Sequence, residues 1–211
     1  MTAQALSTLG DIAEGQWGMI TSEQAQQVGV SLHTLSRMAG SGALERALKG
    51  VYKLAGSPTT TRDDLRAAYL ALGGYRRTPQ GQPAVVAGGE TAADLHGVGD
   101  FYLDVYDFIV PIRRGTRLRE VRLRVRHLSP GEFTYVDGMA TMTVERLIAD
   151  LVGMNQDLSL IADVVGDAHR EGRIASVSNL EDVLEPLARR NGHASGGALR
   201  NDLYELAGVD G

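Results

Sequence analysis

The sequence predicts an α+β protein in two parts, a small N-terminal module of helices and short strands followed by a mixed α/β domain with a helical C-terminal end. Three observations predict it. Residues 19–54, MITSEQAQQVGVSLHTLSRMAGSGALERALKGVYKL, pass from helical spacing of apolar residues to a period of two. A Gly/Ser/Pro/Thr-rich stretch, 55–61, then breaks the pattern. Beyond it, short apolar runs alternate with helical stretches, and from Val144 onward nearly everything has helical period.

The first helix covers about 3–13, with Leu6, Leu9, Ile12 and Ala13 as its apolar stripe, and Gly15 ends it. Thr21 or Ser22 caps a second helix, with Ala25 and Val28 facing inward. A tight turn at Gly29-Val30-Ser31 follows, and Ser31 caps a third helix burying Leu32, Leu35 and Met38 or Ala39. After a break at Gly40-Ser41-Gly42, Leu44 and Leu48, then Val51 and Leu54, mark two strands joined at Lys49-Gly50. The order helix-turn-helix-hairpin is that of a winged helix-turn-helix, a module that usually reads DNA. We expect it to span 1–56 and the second domain to span 62–211.

In the second domain a helix covers about 62–72, and 73–83 form a polar loop. A short strand at 84–87 leads through Gly88-Gly89 into a helix near 90–96. Strands follow at 105–110 and 120–128, the latter with Val121, Leu123 and Val125 on one face and Arg122, Arg124 and Arg126 on the other. Residues 140–143 form a short strand or turn before a helix at 144–152. Helices at about 158–171, 178–190 and 197–207 complete the chain.

Composition narrows the chemistry. With no cysteine, disulfides, Cys-zinc sites and thiol nucleophiles are excluded. The five histidines (His33, His96, His127, His169, His193) lack metal-site spacing, so no metal is expected. No Ser/His/Asp set or ordinary kinase signature can be assembled, and no catalytic residue is assigned. No apolar stretch is long enough to span a bilayer and the N-terminus does not read as a secretory signal, so a cytoplasmic protein is expected.

A net charge of −5 argues against a bulk electrostatic binder of nucleic acid, but its distribution is uneven. Residues 1–55 are balanced. The third helix would turn Ser31, His33, Thr34 and Arg37 toward a DNA groove, with phosphate contacts from Arg46, Lys49 and Lys53 on the wing. The competing reading is a winged helix used for protein contact. Residues 111–128 hold seven arginines (Arg113, Arg114, Arg117, Arg119, Arg122, Arg124, Arg126) against Glu120 alone. Alternate arginines on a strand stand about 7 Å apart, near the spacing of successive phosphates. They form either a surface for nucleic acid, a nucleotide or an acidic partner, or the solvent face of a half-exposed strand paired with carboxylates of the C-terminal helices. Gly88-Gly89 at a helix start can bind phosphate, but without the P-loop spacing it reads better as a structural turn. Arg146 and Asp150 are placed to pair on one helix face.

Several segments together resemble the AbiEi-type antitoxins of bicistronic toxin–antitoxin operons. They are Gly18-Met19-Ile20-Thr21, Gly42-Ala43-Leu44-Glu45-Arg46 and Gly50-Val51-Tyr52-Lys53-Leu54 in the first module. In the second they are Glu90-Thr91-Ala92-Ala93-Asp94-Leu95-His96-Gly97, Asp107-Phe108-Ile109-Val110-Pro111 and Thr143-Val144-Glu145-Arg146-Leu147-Ile148-Ala149-Asp150-Leu151. The resemblance covers most of 16–152 and rests on the order of the pieces. It implies a winged helix-turn-helix that represses its own operon by binding operator DNA, and a second domain that neutralises a nucleotidyltransferase-like toxin by direct or transient contact, without a cofactor. It also implies an alternative, an atypical serine kinase that phosphorylates the toxin and would use ATP and Mg²⁺. A nuclease reading is disfavoured, because the only lysines, Lys49 and Lys53, both lie in the wing.

Overall fold

A computed structural model describes residues 2–209. Met1, Asp210 and Gly211, the outer ends of the two expected domains, lie outside the described residues. The chain divides into two compact units, Met1–Thr78 and Pro79–Gly211.

The first unit runs α1 (Thr2–Glu14), β1 (Met19–Thr21), α2 (Ser22–Gln27), α3 (Leu32–Gly40), β2 (Leu44–Leu48), β3 (Val51–Leu54) and α4 (Asp63–Ala71). The strands form an antiparallel sheet in the order β1-β3-β2. Thr21 starts α2 through a capping box with Gln24. Gly29, at φ +80°, ends α2 in a conformation that costs glycine little. Ile20, Leu44 and Tyr52 pack with Leu9, Ala25, Leu35 and Met38 in one core. Met19 and Val51 pack with Ala67 and Leu70 of α4 in another.

Both faces of this small sheet are therefore covered. That is why α4, expected in the second domain, belongs to the first unit, whose boundary falls near Thr78 rather than at the 55–61 stretch. Two inward assignments also change: Val28 is 42% and Leu32 52% exposed. The inward side of α3 is set by Leu35 and Met38, with Ala39 partly buried beside them.

The second unit contains β4 (Val86–Ala87), α5 (Gly89–His96), β5 (Tyr106–Val110), β6 (Val121–Val125), β7 (Phe133–Val136), β8 (Met139–Met142), α6 (Val144–Gly153), α7 (Leu158–Arg170), α8 (Val177–Ala188) and α9 (Gly196–Ala207). The sheet order is β6-β5-β4-β8-β7. β5 pairs parallel with β6, placing Asp107 beside Arg122 and Ile109 beside Arg124. β4 and β8 are also parallel, whereas β4–β5 and β7–β8 are antiparallel.

Helix α6 is the hub of the core. Val144, Leu147, Ile148, Leu151 and Val152 are buried, and so are Glu145 and Asp150. A helix buried on all sides must pair its charges. Glu145 does so by accepting from the backbone N–H groups of Ala175 and Ser176, which fixes the start of α8.

Candidate nucleic-acid interface and arginine cluster

Two regions gather the polar chemistry, one in each unit. In the first unit, α3 buries Leu35 and Met38 and exposes Leu32, His33, Ser36, Arg37 and Gly40. These lie one, four, five and eight residues after the first, so they form one continuous stripe on a 3.6-residue period. The stripe carries no carboxylate.

Ser31 caps α3 as expected, with Thr34 as its partner. Ser31 Oγ accepts from the Thr34 backbone N–H at 3.2 Å, and the two hydroxyls lie 3.1 Å apart. They cap the helix and fix its entry angle, whereas His33 and Arg37 project from it. Leu32 and Ser36 share the exposed face but were not among the expected contacts, although the helical period from Leu35 and Met38 places both there. Thr34 and Arg37 also line an open groove of about 380 Å³ with Thr8 of α1 and with Val28 and Val30 of the turn.

The wing turns at Lys49-Gly50, with Gly50 at φ +84°. Lys49 is exposed at its tip. Arg46 is exposed too and lies over the Tyr52 ring, 5.7 Å from its centre.

Lys53 does not face solvent, a correction to the expected set of phosphate contacts. Its ammonium is 2.5 Å from Asp63 Oδ2 and donates to Pro58 O at 2.8 Å and Thr59 Oγ1 at 3.2 Å. The cause is the alternation of β3, which turns Lys53 toward the start of α4. Asp63 stays below its ordinary pKa: burial opposes this, but hydrogen bonds from Lys53 and Thr60 outweigh it. A phosphate at Lys53 would have to displace a carboxylate that is already paired.

In the second unit the arginine stripe splits. Arg113, Arg114, Arg117 and Arg119 are exposed on the connection between β5 and β6. Arg122, Arg124 and Arg126 instead turn onto two fully buried carboxylates, Asp107 of β5 and Asp150 of α6. Arg124 is central. Its Nε donates to Asp107 Oδ1 at 2.9 Å, its Nη1 to Asp150 Oδ1 at 2.8 Å, and its Nη2 to Asp150 Oδ2. Arg122 Nη2 donates to Asp107 Oδ2 at 2.8 Å, and Arg126 Nη1 lies 3.5 Å from Asp150 Oδ1. Burial disfavours the Arg124 charge, but Asp150 and Asp107 together hold its pKa above the ordinary value.

This arrangement answers three expectations. On β6 the stripe pairs with carboxylates, one from the neighbouring strand and one from a helix. Asp150 pairs with Arg124 rather than with Arg146, which reaches Glu132 instead at 3.3 Å. Gly88-Gly89 is a structural turn: Gly89 N–H donates to Asp150 Oδ2 at 3.1 Å, so a carboxylate of the chain itself sits where a phosphate would bind. A Cβ at Gly89 would stand 2.8 Å from Asp107 Oδ2.

Among the described residues no three His, Asp or Glu side chains are grouped to hold a metal ion, and no helix is long and apolar enough to cross a membrane.

Residues 8–55 match the family model described as "Transcriptional regulator, AbiEi antitoxin". That span runs from α1 to the end of the wing. No curated protein matches the chain. A crystal structure of the RV2827C protein from Mycobacterium tuberculosis is similar in fold, with a TM-score of 0.57 and 14% identity, over 96% of this chain and 76% of that one.

Proposed function

From an N-terminal unit that carries an AbiEi antitoxin transcriptional regulator domain, we propose that this protein is an antitoxin that represses its own operon and neutralises a nucleotidyltransferase-like toxin. The observation that carries the reading is the exposed stripe of α3, with His33, Ser36 and Arg37 and no carboxylate, beside a wing bearing Arg46 and Lys49. An α-helix such as α3 is about 10–12 Å across with its side chains, a width that a major groove about 12 Å wide admits. Arg37 can read guanine, His33 and Ser36 can meet base edges or phosphates, and Lys49 can meet the backbone. The chain's net charge of −5 leaves this local surface to supply the attraction, and two copies on paired half-sites would reinforce it.

The second unit would meet the toxin, directly or transiently, through the exposed arginines of the β5–β6 connection, without a cofactor. The phosphoryl-transfer alternative draws no support from Arg122, Arg124 and Arg126, because their guanidinium groups are bound to Asp107 and Asp150. A repressor of its own operon works in the cytoplasm.

Fluorescence anisotropy with DNA from upstream of the gene tests the first half. Affinity should fall steeply with salt, by about 0.9 log unit per tenfold salt for each phosphate contacted. No binding at low salt would overturn it. Co-expression with the product of the adjacent reading frame, which this reading expects to be a nucleotidyltransferase-like toxin, tests the second half, with growth rescue expected. Mass spectrometry of the rescued toxin then separates the mechanisms: an unmodified toxin supports contact, and a phosphorylated serine supports the kinase.

A further inference from the structure

Leu32 is out of place by the logic of packing. It is the first residue of α3 and 52% exposed, while Leu35 and Met38 of the same helix are fully buried. Single exposed leucines are common and need no explanation. This one is distinguished by its neighbours. It shares the exposed stripe with His33, Ser36 and Arg37, and Ser36 is one helical turn behind it. The Ser31–Thr34 cap holds this first turn in place. N-terminal residues of a recognition helix are the ones that meet base edges.

We propose that Leu32 is a specificity-determining residue that packs on the 5-methyl group of a thymine in the operator's major groove. This deepens the DNA-binding reading above and rests on it. The occupant follows from the chemistry of the stripe. His33, Ser36 and Arg37 surround Leu32 with hydrogen-bonding groups and a positive charge, and the wing adds Arg46 and Lys49, so the face is complementary to a polyanion. The thymine methyl is the one apolar group that the major groove presents, and apolar side chains recognise it by contact. Arg37 and Leu32 would then read different bases, a guanine by hydrogen bonds and a thymine by its methyl.

The test compares upstream DNA containing thymine with the same fragment made with deoxyuridine, which differs by the methyl alone. The wild-type protein should bind the deoxyuridine fragment roughly fourfold more weakly for each thymine contacted, as loss of one buried methyl predicts. Replacing thymines one at a time should confine the loss to one position per half-site. Leu32→Ala should bind the thymine fragment about as weakly as wild type binds deoxyuridine, and should not distinguish the two fragments. Its thermal transition should match wild type, since Leu32 is half exposed.

Equal wild-type affinity for both fragments would overturn the proposal. So would a methyl dependence that survives in Leu32→Ala, or a changed oligomeric state in that variant. Salt-dependent binding of the thymine fragment persists in each of these cases if the broader reading is right, so the two failures are distinguishable.

Discussion

Arg124 Nη1 lies 2.8 Å from Asp150 Oδ1, joining the edge strand β6 to the central helix α6. The same guanidinium holds Asp107 on β5. Removing it strands two carboxylates that have no exposed surface. Arg122 and Arg126 still approach them and soften the loss. Arg124→Ala should therefore destabilise the second unit by about 3 kcal/mol, at the lower end for breaking a buried pair. The chain's single tryptophan, Trp17, lies in the first unit. In urea, Trp17 fluorescence should report an unchanged midpoint while the far-ultraviolet circular dichroism transition of the second unit moves to lower denaturant.

The two lysines should behave oppositely although they are four residues apart. Lys49 is exposed on the wing, and Lys53 is paired with Asp63 under α4. Lys49→Ala should leave the Trp17 transition unchanged and reduce the salt dependence of operator binding by about one phosphate. Lys53→Ala should lower the Trp17 midpoint by an amount matching roughly 1–2 kcal/mol, because Asp63 is only partly buried and keeps Thr60 and Arg66 as partners. The salt slope of its folded fraction should stay as in wild type. Acylation of the native protein followed by mass spectrometry should modify Lys49 long before Lys53.

That contrast shows what the sequence could and could not disclose. Element types were legible where periodicity was strong. The expected helices at 158–171, 178–190 and 197–207 correspond to α7, α8 and α9 within a residue or two. Strand β7 was missed despite a strong local signal. Val136 pairs with Met139 across Asp137-Gly138, both at positive φ, as in a two-residue hairpin turn. Side-chain destinations were harder to read. Lys53 needed the knowledge that α4 folds back on the sheet, and Asp150 needed the parallel register that brings Arg124 to it. Those are long-range pairings, and residue spacing along the chain carries no trace of them. The exposed stripe of α3 was only half legible, because apolar spacing assigned Leu32 to the core.

His96 should make the stability of the second unit depend on pH. It is buried, and its Nε2 is 2.7 Å from the carbonyl oxygen of Met142, so the neutral ring donates there. Burial lowers its pKa, an effect that the Met142 hydrogen bond only partly offsets. The unfolded chain, with an ordinary histidine pKa of about 6.5, then binds a proton more readily than the folded one. Stability from this group is complete above about pH 6.5 and declines as pH falls from there toward the lower folded pKa. Circular dichroism midpoints between pH 8 and pH 5 should show this decline. His96→Gln keeps a donor without the titration, so its midpoints should be lower at pH 8 but flatter over the same range.

Helix α9 starts directly against α8, which makes Gly196 the least replaceable glycine of the tail. A Cβ there would stand 2.1 Å from the Glu181 carbonyl oxygen and 2.8 Å from the Glu185 nitrogen, both backbone atoms. Its own N–H donates to Glu185 Oε2 at 2.6 Å, which pins the approach. Neither helix can yield by rotating a side chain, so Gly196→Ala must push α8 and α9 apart. The expected cost is about 3 kcal/mol, the upper end for overpacking. Gly197 is the internal control. The nearest atoms to its added Cβ are the Glu181 carboxyl group at 3.5 Å, an ordinary contact with a flexible side chain. Gly197→Ala should be neutral or stabilise by up to about 1 kcal/mol through the unfolded state. Urea midpoints followed by circular dichroism should separate the two variants, and equal effects would show that the close crossing of α8 and α9 is not what Gly196 provides.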